Sequence, residues 1–195
     1  ILRGMGASTS NNGTRLSCNI TTGTCITMQS SCTYCGVENL GIGARGTPTD
    51  LVLIDGTSAS NDHVSNLILG TQGYCTGIKN VLRNDNVDLF GPIAGASCRG
   101  ISVVDDAVYL NRITGNWSTD IEGMIVIEQT STNITDTVVI SDTEIAQSGG
   151  AGAGLKIIGA STTNPPRWVE VSNSLFEAKT TGASAGDYPI YIDNV

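Results

Sequence analysis

The sequence is short of the cations that a nucleic-acid partner demands: 10 scattered Lys and Arg against 18 Asp and Glu leave a formal net charge of −8. Phosphate binding needs basic residues clustered on one face, so that class of partner is excluded, while neutral and cationic partners stay open. Long apolar runs are missing as well. None approaches the roughly 20 residues needed to span a bilayer, and no basic segment leading into an apolar stretch and a cleavage site opens the chain. Aromatic residues are only 5% and charged residues 14% of the whole, and helix formers are sparse outside short apolar runs dominated by β-branched residues. Between those runs lie Thr, Ser, Asn and 24 Gly, which reads as many short strands joined by polar turns. Two-residue Asn-Gly turns between paired strands are nearly absent, which weighs against a sandwich built of hairpins.

What is present is a repeat. A Gly followed by a large aliphatic residue recurs at Gly77-Ile78, Gly100-Ile101, Gly123-Met124 and Gly154-Leu155, with Asp50-Leu51 and Pro189-Ile190 as further members. Each start opens a short alternating strand, as in Ile101-Ser102-Val103 or Ile190-Tyr191-Ile192, and period two sets its first and third residues on one face. A second strand follows in each unit: Val87-Asp88-Leu89, Val108-Tyr109-Leu110, Val138-Val139-Ile140 and Val169-Glu170-Val171. The last two continue through a polar corner to a return inward at Ile145 and Phe176. Units of this kind stack at ~4.8 Å per layer, lining up aliphatic residues in columns and satisfying each strand's backbone from the layers above and below. The expected fold is all-β: a right-handed parallel β-helix of about six to seven coils, one segment over 1–195. Within it, 1–49 is a Cys-rich first coil with a long loop and 50–195 the regular coils. Both ends, Ile1-Leu2-Arg3-Gly4 and Ile192-Asp193-Asn194-Val195, are strand-like, as expected of a stretch of a longer chain.

Six cysteines are present. Cys18, Cys25, Cys32 and Cys35 crowd one Gly/Thr/Ser-rich stretch, where disulfides in an oxidising compartment compete with a four-thiolate zinc site. Cys75 and Cys98 precede a start Gly by the same spacing and should stack across one coil step, within the Cα range of a disulfide, although a buried pair of thiols fits as well. Asn-x-Ser/Thr sequons at Asn12, Asn19, Asn116 and Asn133 fall at expected turns and are candidate glycan acceptors.

Leu2-Arg3-Gly4-Met5-Gly6, Thr14-Arg15-Leu16 and Val37-Glu38-Asn39-Leu40-Gly41-Ile42 resemble the opening turn and first strands of pectate-lyase-like β-helices. That group includes polysaccharide lyases, glycoside hydrolases and phage tailspikes. The resemblance implies the fold and a glycan partner, but no particular chemistry. The pattern of polygalacturonase-like enzymes is not followed: His63 is the only histidine, and no Arg-x-Lys strand occurs.

Aligning the coils on their starts puts Asp55, Leu82, Asp105 and Glu128 at one position, and Gly56, Arg83, Asp106 and Gln129 at the next. Carboxylates on neighbouring coils would then lie ~5 Å apart and those two coils apart ~10 Å, bracketing the separations of retaining and inverting glycosidases. Crowding of Asp105, Asp106 and Glu128 raises one pKa, as a general acid requires, unless Arg83 or a calcium ion neutralises the cluster. With calcium there, Arg83 becomes the candidate base of an elimination; no other cofactor is indicated. Ordinary turn chemistry, with the side chains satisfying local backbone donors and facing solvent, is the simpler account of the same Asp residues. Asp55, Trp117 and Trp168 are candidate substrate contacts, the tryptophans as platforms for a sugar face, with packing against the rod as their alternative.

These readings converge on an extracellular or virion-surface protein, a tailspike- or fibre-type segment that binds host polysaccharide and in one version degrades it. The rivals are a secreted polysaccharide lyase or glycoside hydrolase, and a structural adhesin or filament subunit whose open coil ends stack end to end. The tailspike version expects a homotrimer with the flank 138–176 packed against its neighbours.

Overall fold

Short β-branched strands cannot bury both of their faces alone, and here they do so by stacking: a computed structural model shows a parallel β-solenoid of about five turns. The structure describes residues 1–7, 13–44, 49–70, 74–89, 95–130, 137–160, 168–177 and 187–193. Among them the strands are β1 (Leu2–Arg3), β2 (Arg15–Cys18), β3 (Thr22–Thr27), β4 (Gly36–Ala44), β5 (Asp50–Asp55), β6 (His63–Leu69), β7 (Thr76–Lys79) and β8 (Arg83–Leu89). They continue as β9 (Arg99–Val104), β10 (Val108–Trp117), β11 (Gly123–Glu128), β12 (Val138–Ser141), β13 (Glu144–Gln147), β14 (Gly152–Ile158), β15 (Val169–Ser172), β16 (Leu175–Glu177) and β17 (Asp187–Asp193). One sheet runs β1-β4-β6-β8-β10-β12-β15, with β2, β13 and β16 at its side, and the other runs β17-β14-β11-β9-β7-β5-β3. The coil count is slightly below the expected six to seven.

The interior is made of columns. In the second sheet Ile26, Ile54, Ile78, Ile101, Ile125, Leu155 and Ile190 are register partners, and those from Ile54 to Leu155 are almost wholly buried. Each such side chain contributes about 2 kcal/mol of burial. Leu40, Leu67, Val87 and Ile113 form a matching column in the first sheet. The Gly in the repeated start has a steric cause: a Cβ on Gly77 or Gly100 would lie 2.5 Å from the carbonyl oxygen of Gly100 or Met124 in the next coil.

The first sheet bends at one position in every turn. Asn39, Asn66, Asn86, Arg112, Asp142 and Asn173 occupy it, with φ between 46° and 57°. Asn and Asp tolerate this left-handed conformation better than other residues with a Cβ. Their side chains also bond along the stack, Asn66 Nδ2 donating to Asn39 Oδ1 at 3.0 Å and Asn86 Nδ2 to Asn66 Oδ1 at 2.6 Å. Asn173 donates to Asp142 in the same way. Arg112 interrupts the ladder and instead clamps both oxygens of Asp85 at 2.8 Å.

The register departs from an alignment on glycines. Ile125 pairs with Ile101, so Met124, not Gly123, fills the slot of Gly100; Ile54 pairs with Ile78, so Asp50 is not a start. Val87 pairs with Ile113, beyond the bend, whereas Val108, Val138 and Val169 do share a column as expected. The cysteines form three disulfides, Cys18–Cys25, Cys32–Cys35 and Cys75–Cys98, which replaces the zinc alternative; the last joins adjacent turns with Cα atoms 4.4 Å apart. Such bonds belong to an extracellular or otherwise oxidising environment.

Candidate functional site

The revised register disperses the expected acidic edge. Glu128 pairs with Val104, not Asp105, while Asp55 pairs with Lys79, and Arg83 sits in the first sheet between His63 and Tyr109. Each carboxylate is engaged nearby. Asp105, at φ 52°, accepts the Thr130 N–H at 2.8 Å and its hydroxyl; Asp106 accepts the Ala107 N–H at 2.8 Å; Asp55 accepts the Thr57 N–H at 2.9 Å. Burial, with the nearby charge of Asp62, pushes the Asp106 carboxyl above its ordinary range against the pull of the Ala107 bond. Among the described residues no group of three or more His, Cys, Asp or Glu is placed to hold a metal ion. Trp117 is fully buried and cannot meet a sugar, because its strand position faces the core; Trp168 is 60% exposed. Asn19 is exposed, and Asn116 is exposed on β10 rather than in a turn; Asn12 and Asn133 lie outside the described residues.

The stacked coils instead assemble a groove on the outer face of the second sheet. Its floor comes from small residues: Gly123 and Ala153 are register partners between Arg99 on one side and Tyr188 on the other. Alongside runs the column Ser102, Val126, Lys156, Tyr191, and next to it Val104, Glu128, Ile158, Asp193. Glu122, Lys156, Ile158, Tyr188, Tyr191 and Asp193 line a cavity of about 340 Å³.

One wall is a charge network. Arg99 Nε donates to Glu122 at 2.7 Å, Arg99 Nη2 to Glu128 at 2.7 Å, and Lys156 Nζ to Glu122 at 3.0 Å. Burial acts to raise the Glu122 pKa, but hydrogen bonds from Arg99 and Lys156 outweigh it and hold the carboxyl below its ordinary range. Burial acts to lower the Arg99 pKa, but its bonds to Glu122 and Glu128 outweigh this and raise the guanidinium above its usual value. Val126 points outward beside this network yet is fully buried. The other wall is aromatic: the rings of Tyr188 and Tyr191 lie 5.3 Å apart at 46°, and Lys156 Nζ sits 5.7 Å over the Tyr191 ring. The groove therefore offers apolar ring surface beside fixed charges, a combination suited to a ligand with both C–H faces and hydroxyls.

No family model, curated protein or solved structure matches the chain. The parallel β-solenoid fits polysaccharide-binding or polysaccharide-degrading proteins generally. The sequence reading missed Arg99, Glu122, Lys156, Tyr188, Tyr191 and Asp193. The available signal was the aliphatic run Ile125-Val126-Ile127, whose alignment with Ile101 and Leu155 brings Val126, Lys156 and Tyr191 into one column.

Proposed function

We propose that this solenoid binds polysaccharide through the groove of Glu122, Lys156, Tyr188, Tyr191 and Asp193. The paired tyrosines carry the reading: a wall of exposed Tyr188 and half-buried Tyr191 against a pre-set charge network orients a sugar ring by its apolar face and its hydroxyls. Binding rather than cleavage is supported because Asp105 and Asp106 are bonded within the fold away from the groove, and Glu128, in its charge wall, is held by Arg99. The fuller form of the reading is a tailspike- or fibre-type segment at a virion surface, assembled as a homotrimer with the flank of Trp168, Val171 and Leu175 against neighbouring copies. The exposure of these three apolar side chains supports it.

The test is affinity for a panel of neutral and acidic oligosaccharides by isothermal titration calorimetry. Tyr191→Ala and Tyr188→Ala should each weaken binding about tenfold, in line with the loss of one aromatic contact of ~1–1.5 kcal/mol. Unchanged affinity in both variants would remove the groove from the reading. Light scattering reads the stoichiometry, and a monomer at micromolar concentration would rule out the trimer.

A further inference from the structure

Of the five arginines among the described residues, three pair with carboxylates. Arg3 pairs with Glu38, Arg99 with Glu122 and Glu128, and Arg112 with Asp85. Arg83 is different. It is exposed at the start of β8, and among the described residues its guanidinium meets no carboxylate; its one partner is the ring of Tyr109, with Cζ 5.9 Å from the centroid. The acid on the same strand face, Asp85, is already saturated by Arg112 and by Asn111 Nδ2 at 2.7 Å. On the other side His63 lies in the adjacent layer, with Nε2 2.7 Å from Glu38, so that carboxylate is committed as well. Arg83, Asn84, Asp85, Tyr109 and Asn111 surround a depression of about 370 Å³, and Tyr109 is 43% exposed beside it.

We propose that Arg83 and Tyr109 form a subsite for an oxyanion carried on a sugar ring, a carboxylate or a sulfate ester. It lies on the first sheet, apart from the tyrosine groove on the second. A planar guanidinium held over a ring is pre-oriented for a two-bonded grip on a pair of anionic oxygens, as carboxylates and sulfate esters both present, and the exposed phenol ring flanks the sugar's apolar face. Asp85, which also lines the depression, is paired with Arg112 rather than with Arg83. The inference rests on the polysaccharide reading, and the two are separable because they use different residues and ligands.

The experiment measures binding of three probes by calorimetry at low salt: a hyaluronan hexasaccharide carrying carboxylates only, a sulfated galactan hexasaccharide, and neutral maltohexaose. At least one anionic probe should bind about tenfold more tightly than maltohexaose, and Arg83→Gln should abolish that preference while Arg83→Lys keeps part of it. Which anionic probe is preferred identifies the oxyanion. Tyr109→Leu should weaken the same probe, and circular dichroism confirms that each variant is folded. Equal binding of all three probes, an unchanged preference in Arg83→Gln, or no binding of any probe overturns the subsite. If Tyr191→Ala still weakens binding of a neutral oligosaccharide in those circumstances, the groove stands and only the subsite falls.

Discussion

At the scale of single residues, Asp62 is the most consequential side chain that composition conceals. It is buried in the turn before β6, where Oδ1 accepts the Leu82 N–H at 2.9 Å and Oδ2 has no hydrogen-bond partner among the described residues. Burial raises its pKa, opposed in part by the Leu82 bond. The folded chain therefore binds this proton more tightly than the unfolded chain. Its contribution to stability falls as pH rises from about 4, the ordinary carboxyl value, through the raised value, and stays unfavourable above it. Asp62→Asn removes the charge, so the variant should melt about 2–4 °C higher at neutral pH, with the gain shrinking toward pH ~4. Thermal melts across pH check this, and a gain independent of pH contradicts it. Nothing in the local sequence Asn61-Asp62-His63 distinguishes Asp62 from the exposed turn acids, because burial at a corner is set by the turns above and below. Trp117 shows the same limit in reverse: a residue read as a loop platform is core because its strand, β10, runs on past the bend.

At the scale of elements, the bend in the first sheet was only partly legible. The polar corners after Ile140 and Val171 mark it, yet Asn66 and Asn86 sit inside apparently continuous strands and look like ordinary outward residues. Their role rests on φ and on bonds to the layers on either side. Asn86→Ala should cost about 1–2 kcal/mol, since it puts a β-carbon without a compensating polar group into the left-handed region, and it also breaks the bond to Asn66. Asn86→Gly keeps the backbone relaxed and loses only the side-chain bond, so it should be the milder change. Urea denaturation orders the two, and equal losses would show that the ladder bond, not the backbone, dominates. The strands after each Gly-aliphatic start are legible as elements, because alternation is local, but their register is not. Gly100 faces the interior near Leu89 whereas Gly123 faces outward near Val126, so identical residues belong to different slots.

At the scale of the molecule, stability is nearly one-dimensional: each layer touches only its neighbours. The Cys75–Cys98 bond joins two such layers across 23 residues of chain and should contribute about 3 kcal/mol by restricting the unfolded state. Replacing both cysteines by Ala should lower stability by about that amount, with hydrogen exchange rising first in β7 and β9. Exchange rising evenly along the solenoid would contradict the layer picture. The pairing of Cys75 with Cys98 was readable because each precedes an equivalent start. For the four N-terminal cysteines spacing alone leaves three connectivities, and the fold of the first turns selects Cys18–Cys25 and Cys32–Cys35.

The sequence by itself determined that this protein is a stack of short parallel strands. Alternation, β-branching and Gly-rich turns are properties of neighbouring residues, and a chain with many half-buried strands and few hairpin turns closes its core by layering. Tertiary structure decided which residues share a face. Unequal coil lengths and paired inward residues such as Gly100-Ile101 and Met124-Ile125 shift the register from turn to turn, and a shift of one residue moves every side chain to the opposite face. Arg99, Glu122, Lys156 and Tyr191 meet for that reason, and for that reason the acids Asp105 and Glu128 do not share a column.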